Sequence, residues 1–117
     1  MSLASRQPEA MAILDAAYAR ACEVVAPDLI RLAHSRVDRA LSNSSDAETP
    51  LTERDEDVAA VVDQMLIDVS RVDDATAARA GRHFDEGGFA DFVMAEYIIE
   101  ARTRLTIASQ RLLGAEQ

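Results

Sequence analysis

Three charged side chains near the end of the chain have a spacing that could support chemistry. Glu96, Glu100 and Arg104 follow one another at intervals of four residues, so in an α-helix they would line a single face. Such a row is either a solvated ladder of ion pairs, the common arrangement for charged helix residues, or a buried network beside a cavity. The residues leave both interpretations open, and they make Glu100 and Arg104 candidate site residues.

His34 is a second candidate, because it occurs on the apolar side of a helical pattern, in line with Ile30, Val37 and Leu41. A histidine can act as a general acid or base near neutral pH, since its unperturbed pKa lies near 6.5. In such surroundings a histidine is more often a core residue with one hydrogen bond, and no nucleophile lies beside His34 in the sequence. Acid–base catalysis and a structural role therefore both remain open.

Residues that usually bind metals or react with oxidants are few. The single cysteine, Cys22, cannot form an intramolecular disulfide and is expected to be a small buried side chain. The consecutive acidic residues Asp55, Glu56 and Asp57 would point to different sides of a helix, so they would not converge on a cation. We expect neither a metal site nor a cofactor.

Helices must position these candidates, because no segment alternates polar and apolar residues with the period of a strand. Helix-start signals at Pro8, Pro27 and Thr52 precede segments in which apolar residues recur with helical spacing. Residues 1–7 are expected to be a flexible leader, and residues 8–117 a single helical domain. The five predicted helices cover about residues 8–25, 27–41, 52–69, 73–84 and 89–113.

The last predicted helix is the longest, about 37 Å at 1.5 Å per residue. Gly87 and Gly88 precede it and allow the left-handed backbone that separates it from the fourth helix. The sequence thus predicts an all-α bundle of about five helices with a long C-terminal helix. The side of that helix predicted to face the core consists of Met94, Ile98, Ala101, Leu105, Ala108 and Leu112.

Charge and composition exclude several classes of partner. The 117 residues include 12 basic and 21 acidic side chains, and the net charge of -9 repels nucleic acid phosphates and anionic lipids. We therefore expect neither nucleic acid nor a membrane as a partner. No stretch approaches the ~18 apolar residues of a membrane span, and the first ten residues lack the apolar core of a signal peptide, so we expect a cytoplasmic location.

Several motifs occur in a characteristic order along the chain. After the helix start "TERD" come "VVD", the turn "HFD" and a final helix with Glu100 and Arg104 four residues apart. Upstream, "PDLIRLAHSRVDRALSN" begins with an acidic residue, Asp28. In this order the motifs resemble the alkylhydroperoxidase (AhpD)-like and carboxymuconolactone decarboxylase superfamily, over about residues 27–113. The resemblance implies an AhpD-like helical fold and assembly into trimers or hexamers.

The chain departs from that family at the residues that carry its redox chemistry. Ala40 and Asn43 stand where peroxidase members have the two cysteines of a Cys-x-x-Cys pair, and Ala47 stands where a histidine would follow. Glu100 also replaces the asparagine of the family's Asn-x-x-x-Arg pattern. Because only a thiolate attacks a peroxide, alkylhydroperoxidase activity is not expected.

Three hypotheses for function follow from these observations. The first is a non-peroxidatic AhpD-like protein that acts through a homo-oligomer or a partner subunit. The second is a cofactor-free decarboxylase or isomerase of a small carboxylate, with His34 as acid or base, Arg104 binding the substrate carboxylate and Glu100 orienting Arg104. The third is an acidic helical adaptor that receives a partner helix. A common pocket for His34 and Arg104 would favour the second.

Overall fold

The computed structural model describes residues 3–42 and 51–113. Within these ranges the chain is helical and contains no strand, which confirms the all-α prediction. Five helices have eight residues or more. In chain order the elements are α1 (Leu3–Arg6), α2 (Pro8–Val24), α3 (Pro27–Leu41), α4 (Glu53–Ile67), a 3₁₀ helix (Val69–Arg71), α5 (Asp74–Gly81) and α6 (Gly88–Leu113).

The helices begin where local signals place them. Pro8 and Pro27 occupy the first positions of α2 and α3, where a missing N–H costs nothing. The Thr52 hydroxyl accepts a hydrogen bond from the Asp55 N–H at 3.1 Å and caps α4. Asp73 caps α5 in the same way. These starts confirm the predicted ones to within a residue.

The connection between α5 and α6 is longer than the sequence suggests. The fourth predicted helix was expected to reach Phe84, but α5 ends at Gly81 and tight turns carry the chain onward. Gly87 has φ +81°, a left-handed conformation that β-carbons resist, and it reverses the chain before α6. The left-handed backbone predicted at this glycine is confirmed, but the glycine does not end α5, which stops at Gly81. The 3₁₀ helix was not predicted; the Asp68 carboxylate caps it by accepting from the Ser70 N–H at 3.0 Å.

The packing centres on α3, which lies between α4 and α6, while α2 packs on α6 and α5 packs on α4. The described chain measures 44 × 30 × 26 Å. The core forms where these helices meet. Among the residues that the structure describes, no helix is both long enough and apolar enough to cross a membrane. Its largest fully buried apolar side chains are Val37, Val58, Val61, Val62, Phe92 and Ile99.

The predicted inward side of α6 is wrong. Met94 is 60% exposed and Leu112 is 81% exposed, whereas Phe92 and Ile99 are fully buried. Apolar residues occur nearly all around this helix, so their spacing does not single out one face. The face that is buried is the one with Phe92, whose ring packs against Phe84 with centroids 5.7 Å apart. Of the six residues predicted to face inward, Ile98 does pack partly against the core and the two alanines are half-buried, whereas the other three are exposed. We call this side the outer face of α6; it comprises Met94, Ile98, Ala101, Leu105, Ala108 and Leu112.

Helix α2 is the least buried of the long helices. Of its seventeen residues only Ala21 is buried. Cys22, expected to be buried, is exposed, because Ala21 and not Cys22 lies in the core of the bundle, where α2 packs on α6. The prediction of a buried cysteine is therefore wrong.

Candidate functional site

A groove of about 370 Å³ runs between α3 and α6 and is open to solvent. Its α3 side consists of residues four apart, which fall on one face of the helix. The α6 side adds a guanidinium and several hydroxyl groups. The polar side chains that line it include His34 and Asp38 from α3, Ser42 directly after α3, and Arg102, Thr103 and Thr106 from α6.

His34 is held at one end of this groove by Tyr18, which projects from α2. The Tyr18 hydroxyl lies 2.7 Å from His34 Nε2, and the two rings meet edge to face with centroids 5.6 Å apart. Burial lowers the pKa of His34, Asp38 opposes that shift, and Arg102 adds to it. The imidazole is therefore neutral at pH 7, and with its proton on Nδ1 it accepts the Tyr18 hydroxyl proton at Nε2.

Arg102 supplies the positive charge of the groove. Its guanidinium lies 4.0 Å from the centroid of the Tyr18 ring, a cation–π contact, and 3.5 Å from the Asp15 carboxylate. The side chain is 34% exposed, so part of the guanidinium faces solvent. Tyr18 thus contacts both His34 and Arg102 and fixes their relative position at the groove.

Glu96, Glu100 and Arg104 lie on another face of α6, as a row that runs from the interior to the surface. Glu96 is fully buried, Glu100 is 16% exposed and Arg104 is 49% exposed. Arg104 Nε donates to Glu100 Oε2 at 2.8 Å, and the same guanidinium approaches the Leu66 carbonyl at 3.4 Å. The row therefore combines both interpretations, a buried network at Glu96 and an ion pair at the surface.

The buried end of this row is a carboxylic acid rather than a carboxylate. Both Glu96 oxygens and Glu100 Oε1 are buried, and none has a hydrogen-bond partner among the described residues when both groups are drawn as carboxylates. Burial and the neighbouring Glu100 carboxyl raise the pKa of Glu96 to about 8, although Arg104 acts in the opposite direction. A proton on one Glu96 oxygen, donated to Glu100 Oε1, would give these two oxygens a partner and leave the second Glu96 oxygen without one.

The structure brings together only part of the predicted site. Glu100 and Arg104 are paired, but His34 lies in the groove that Arg102 and not Arg104 lines. A catalytic role for His34, Glu100 or Arg104 stays a prediction. Sequence reasoning missed Arg102. Its helical spacing from Ile99 and Thr106 places it beside them, but this is informative only once it is known which face of α6 meets α3.

A third group of charged side chains links α3, α4 and α5. The Asp57 carboxylate lies 2.8 Å from His83 Nε2 and 3.1 Å from an Arg82 nitrogen, and the pKa of Asp57 is lowered, first of all by its hydrogen bond with His83. Arg54 pairs with Asp28 and Asp55 nearby. These contacts join helix ends. Among residues 3–42 and 51–113, no three His, Cys, Asp or Glu side chains are arranged to hold a metal ion.

Comparison with known proteins adds no relative to this geometry. No family model matches the chain, and neither a curated protein nor a solved structure matches it. A function must therefore be inferred from three features of the fold: the groove, the Glu96–Glu100 pair and the outer face of α6.

Proposed function

We propose that this chain is the non-peroxidatic subunit of an AhpD-like homo-oligomer, and that its copies pair through the outer face of α6. The supporting observation is the exposure of large apolar side chains on that face: 60% for Met94, 38% for Leu105 and 81% for Leu112. Contiguous apolar surface is uncommon on monomeric proteins and usually marks a site of interaction. Covering one such side chain contributes roughly 1.5–3 kcal/mol.

The order of residues on this face suits a second copy of the same chain. The face is symmetric about Thr103: Ala101 and Leu105 lie two residues to either side, Ile98 and Ala108 five, and Met94 and Leu112 nine. Two antiparallel α6 helices related by a two-fold axis at Thr103 would place Leu105 level with Ala101 of the other copy, and Ile98 level with its Ala108. Large side chains would then lie beside small ones, which allows close packing of an isologous interface.

Charge sets the conditions under which the copies associate. Two chains of net charge -9 repel each other, but none of the six residues of the outer face is charged. Salt screens charges beyond about 8 Å at physiological ionic strength, while the apolar contact persists. Association should therefore strengthen as salt is added at constant pH.

The test is the mass of the full chain in solution, measured by light scattering over a wide range of concentration and at low and physiological salt. We expect the wild type to reach at least twice the 12.7 kDa mass of one chain. Leu105→Glu, which adds a charge at the centre of the face, should remain a monomer. Gln110→Glu is the matched control, because Gln110 is an exposed α6 residue that lines the groove instead.

Three results would contradict the proposal in different ways. A wild type that remains a monomer at its highest soluble concentration would overturn self-association. A trimer without two-fold contacts would overturn the antiparallel pairing. Equal effects of Leu105→Glu and Gln110→Glu would show that added charge, and not the outer face, controls assembly. A mass that rises only when a second protein is added would favour the adaptor hypothesis.

A further inference from the structure

We infer that the groove between α3 and α6 is a binding site for a small carboxylate that also carries a hydroxyl or ammonium group, with Arg102 and His34 receiving the carboxylate and Asp38 the hydrogen-bond donor. This site lies apart from the outer face of α6 and does not depend on the proposed oligomer. The argument rests on the groove's shape, its one cation and the position of its one anion.

The dimensions and lining of the groove suit a small polar ligand. Its volume of about 370 Å³ lies at the small end of the range for ligand sites, about 300–1,000 Å³. The hydroxyls of Thr103 and Ser42 offer hydrogen bonds, and that of Thr106, which already donates to the Arg102 carbonyl, can accept one. Ile99 and Ile107 give apolar contact. A few polar groups on a partly apolar wall is the usual composition of a site that orients a small molecule.

Arg102 is positioned in advance to receive a carboxylate. Tyr18 packs 4.0 Å from its guanidinium, which reduces the rotamer freedom that binding would otherwise remove. Its acidic partner, Asp15, is 59% exposed and 3.5 Å away, beyond the 2.7–2.9 Å of a strong charge-assisted hydrogen bond. A planar guanidinium that is held on one side and open on the other matches the two oxygens of a carboxylate.

His34 lies on the α3 side of the groove, across from Arg102 on the α6 side, and responds to what binds there. The Tyr18 hydroxyl holds one imidazole nitrogen at 2.7 Å, and Arg102 is near enough to affect its protonation. A carboxylate between Arg102 and His34 would accept a hydrogen bond from the imidazole and favour its charged form. The state of His34 is therefore a direct report of occupancy.

Asp38 selects among carboxylates. It follows His34 by one helical turn, about 5–6 Å along α3, and its side chain lines the same groove. A second anionic group on the ligand would be repelled there, whereas a hydroxyl or ammonium group would donate a hydrogen bond to the Asp38 carboxylate. This arrangement favours hydroxy acids and amino acids over simple carboxylates and over dicarboxylates.

The test uses sodium lactate as a minimal hydroxy acid and acetate as the same carboxylate without the hydroxyl. The chain has two histidines, so the imidazole resonances of His34 and His83 can be followed by NMR in one sample of the full chain. Lactate should shift the His34 signals saturably and leave those of His83, which pairs with Asp57, in place. Acetate should bind at least threefold more weakly, and Asp38→Ala should remove the difference between the two.

Matched variants assign the binding to its residues. Arg102→Gln should weaken lactate binding at least tenfold, whereas Arg104→Gln, two residues away and paired with Glu100, should leave it unchanged. Arg102→Lys, which keeps the charge without the planar fork, should fall between them and serves if Arg102→Gln does not fold. The proposal is overturned if lactate gives no saturable shift of His34, if both histidines shift alike, or if Arg104→Gln weakens binding as much as Arg102→Gln.

Discussion

The carboxyl group of Glu96 is buried beside that of Glu100, one helical turn further along α6, and this burial, together with the neighbouring carboxyl group, raises the pKa of Glu96. Glu96 has no exposed surface, so its ionisation would place a second negative charge next to Glu100 in the interior. With its pKa raised to about 8, Glu96 is a hydrogen-bond donor at neutral pH.

Glu96→Gln is expected to stabilise the protein above neutral pH. Between the usual pKa of 4.5 and the folded value of about 8, the unfolded chain has lost the Glu96 proton while the folded chain keeps it. Stability of the wild type should therefore fall as pH rises through this window. Glutamine has nearly the same shape, donates to Glu100 and does not titrate, so the variant should be more stable by on the order of 2 kcal/mol near pH 8.

Urea unfolding of the wild type and of Glu96→Gln across that pH window measures the effect. Glu86→Gln, which alters an exposed glutamate in the connection before α6, controls for the loss of one negative charge. Parallel pH curves for the wild type and Glu96→Gln would show that Glu96 is not a buried acid.

Two substitutions in the groove should move the pKa of His34 in opposite directions. Asp38→Asn removes the negative charge that raises this pKa and should lower it further, whereas Arg102→Gln removes a positive charge and should raise it. NMR titration of the imidazole signals gives both values, with the His83 signals as an internal reference. Shifts of the same sign would mean that Arg102 or Asp38 does not face His34.

Asp57→Asn should destabilise the protein at neutral pH and have little effect in strong acid. The pKa of Asp57 is lowered in the fold by His83 and Arg82, so its contribution is present above its usual pKa of 3.8 and is lost as pH falls through the lower folded value. Thermal unfolding at neutral and acidic pH tests this, with Asp85→Asn, an exposed residue of the following loop, as the control. A deficit that stays constant into strong acid would indicate lost packing instead of lost charge pairing.

Gly87→Ala should destabilise the fold by about 1 kcal/mol, because its φ of +81° is costly for any residue with a β-carbon. No atom lies within 4 Å of the added methyl group, so the effect would be one of backbone conformation alone. Gly81→Ala is the matched control: its methyl would make ordinary contact with Phe89 at 3.6 Å, at the end of α5. Denaturant unfolding should show that Gly87→Ala loses more free energy of unfolding than Gly81→Ala. Equal losses in the two variants would contradict a special role for the backbone of Gly87.

Local signals in the sequence predict where the helices begin, but not how they face one another. Pro27 and Thr52 act through their own backbone and nearest neighbours, so the starts of α3 and α4 could be predicted without knowledge of the fold. The inward face of α6 could not, because apolar side chains such as Met94 and Ile99 lie on both sides of that helix. Which side is buried depends on how α2 and α3 pack against α6, and the residue pattern of one helix does not contain that information.

The same limit applies to the candidate site. The spacing of Glu100 and Arg104 predicts that they share one face of the helix, and they pair. The apolar setting of His34 left a core position and a catalytic role open, and the side chain is partly buried. Tyr18 and His34 are sixteen residues apart and belong to different helices, so no local pattern predicts their contact. The absence of cysteine at Ala40 and Asn43 can be read directly from the sequence, although Asn43 and Ala47 lie outside the described residues.

The shallow anchoring of α2 makes the groove's proton chemistry sensitive to local unfolding. Only Ala21 of that helix is buried, so we expect its amide hydrogens to exchange sooner than those of α3 or α4. When α2 detaches, His34 loses the Tyr18 hydroxyl and Arg102 loses the Tyr18 ring in one event. A ligand held by Arg102 and His34 would slow this opening. Slower amide exchange in α2 would then report the presence of the ligand, although α2 itself barely contacts it.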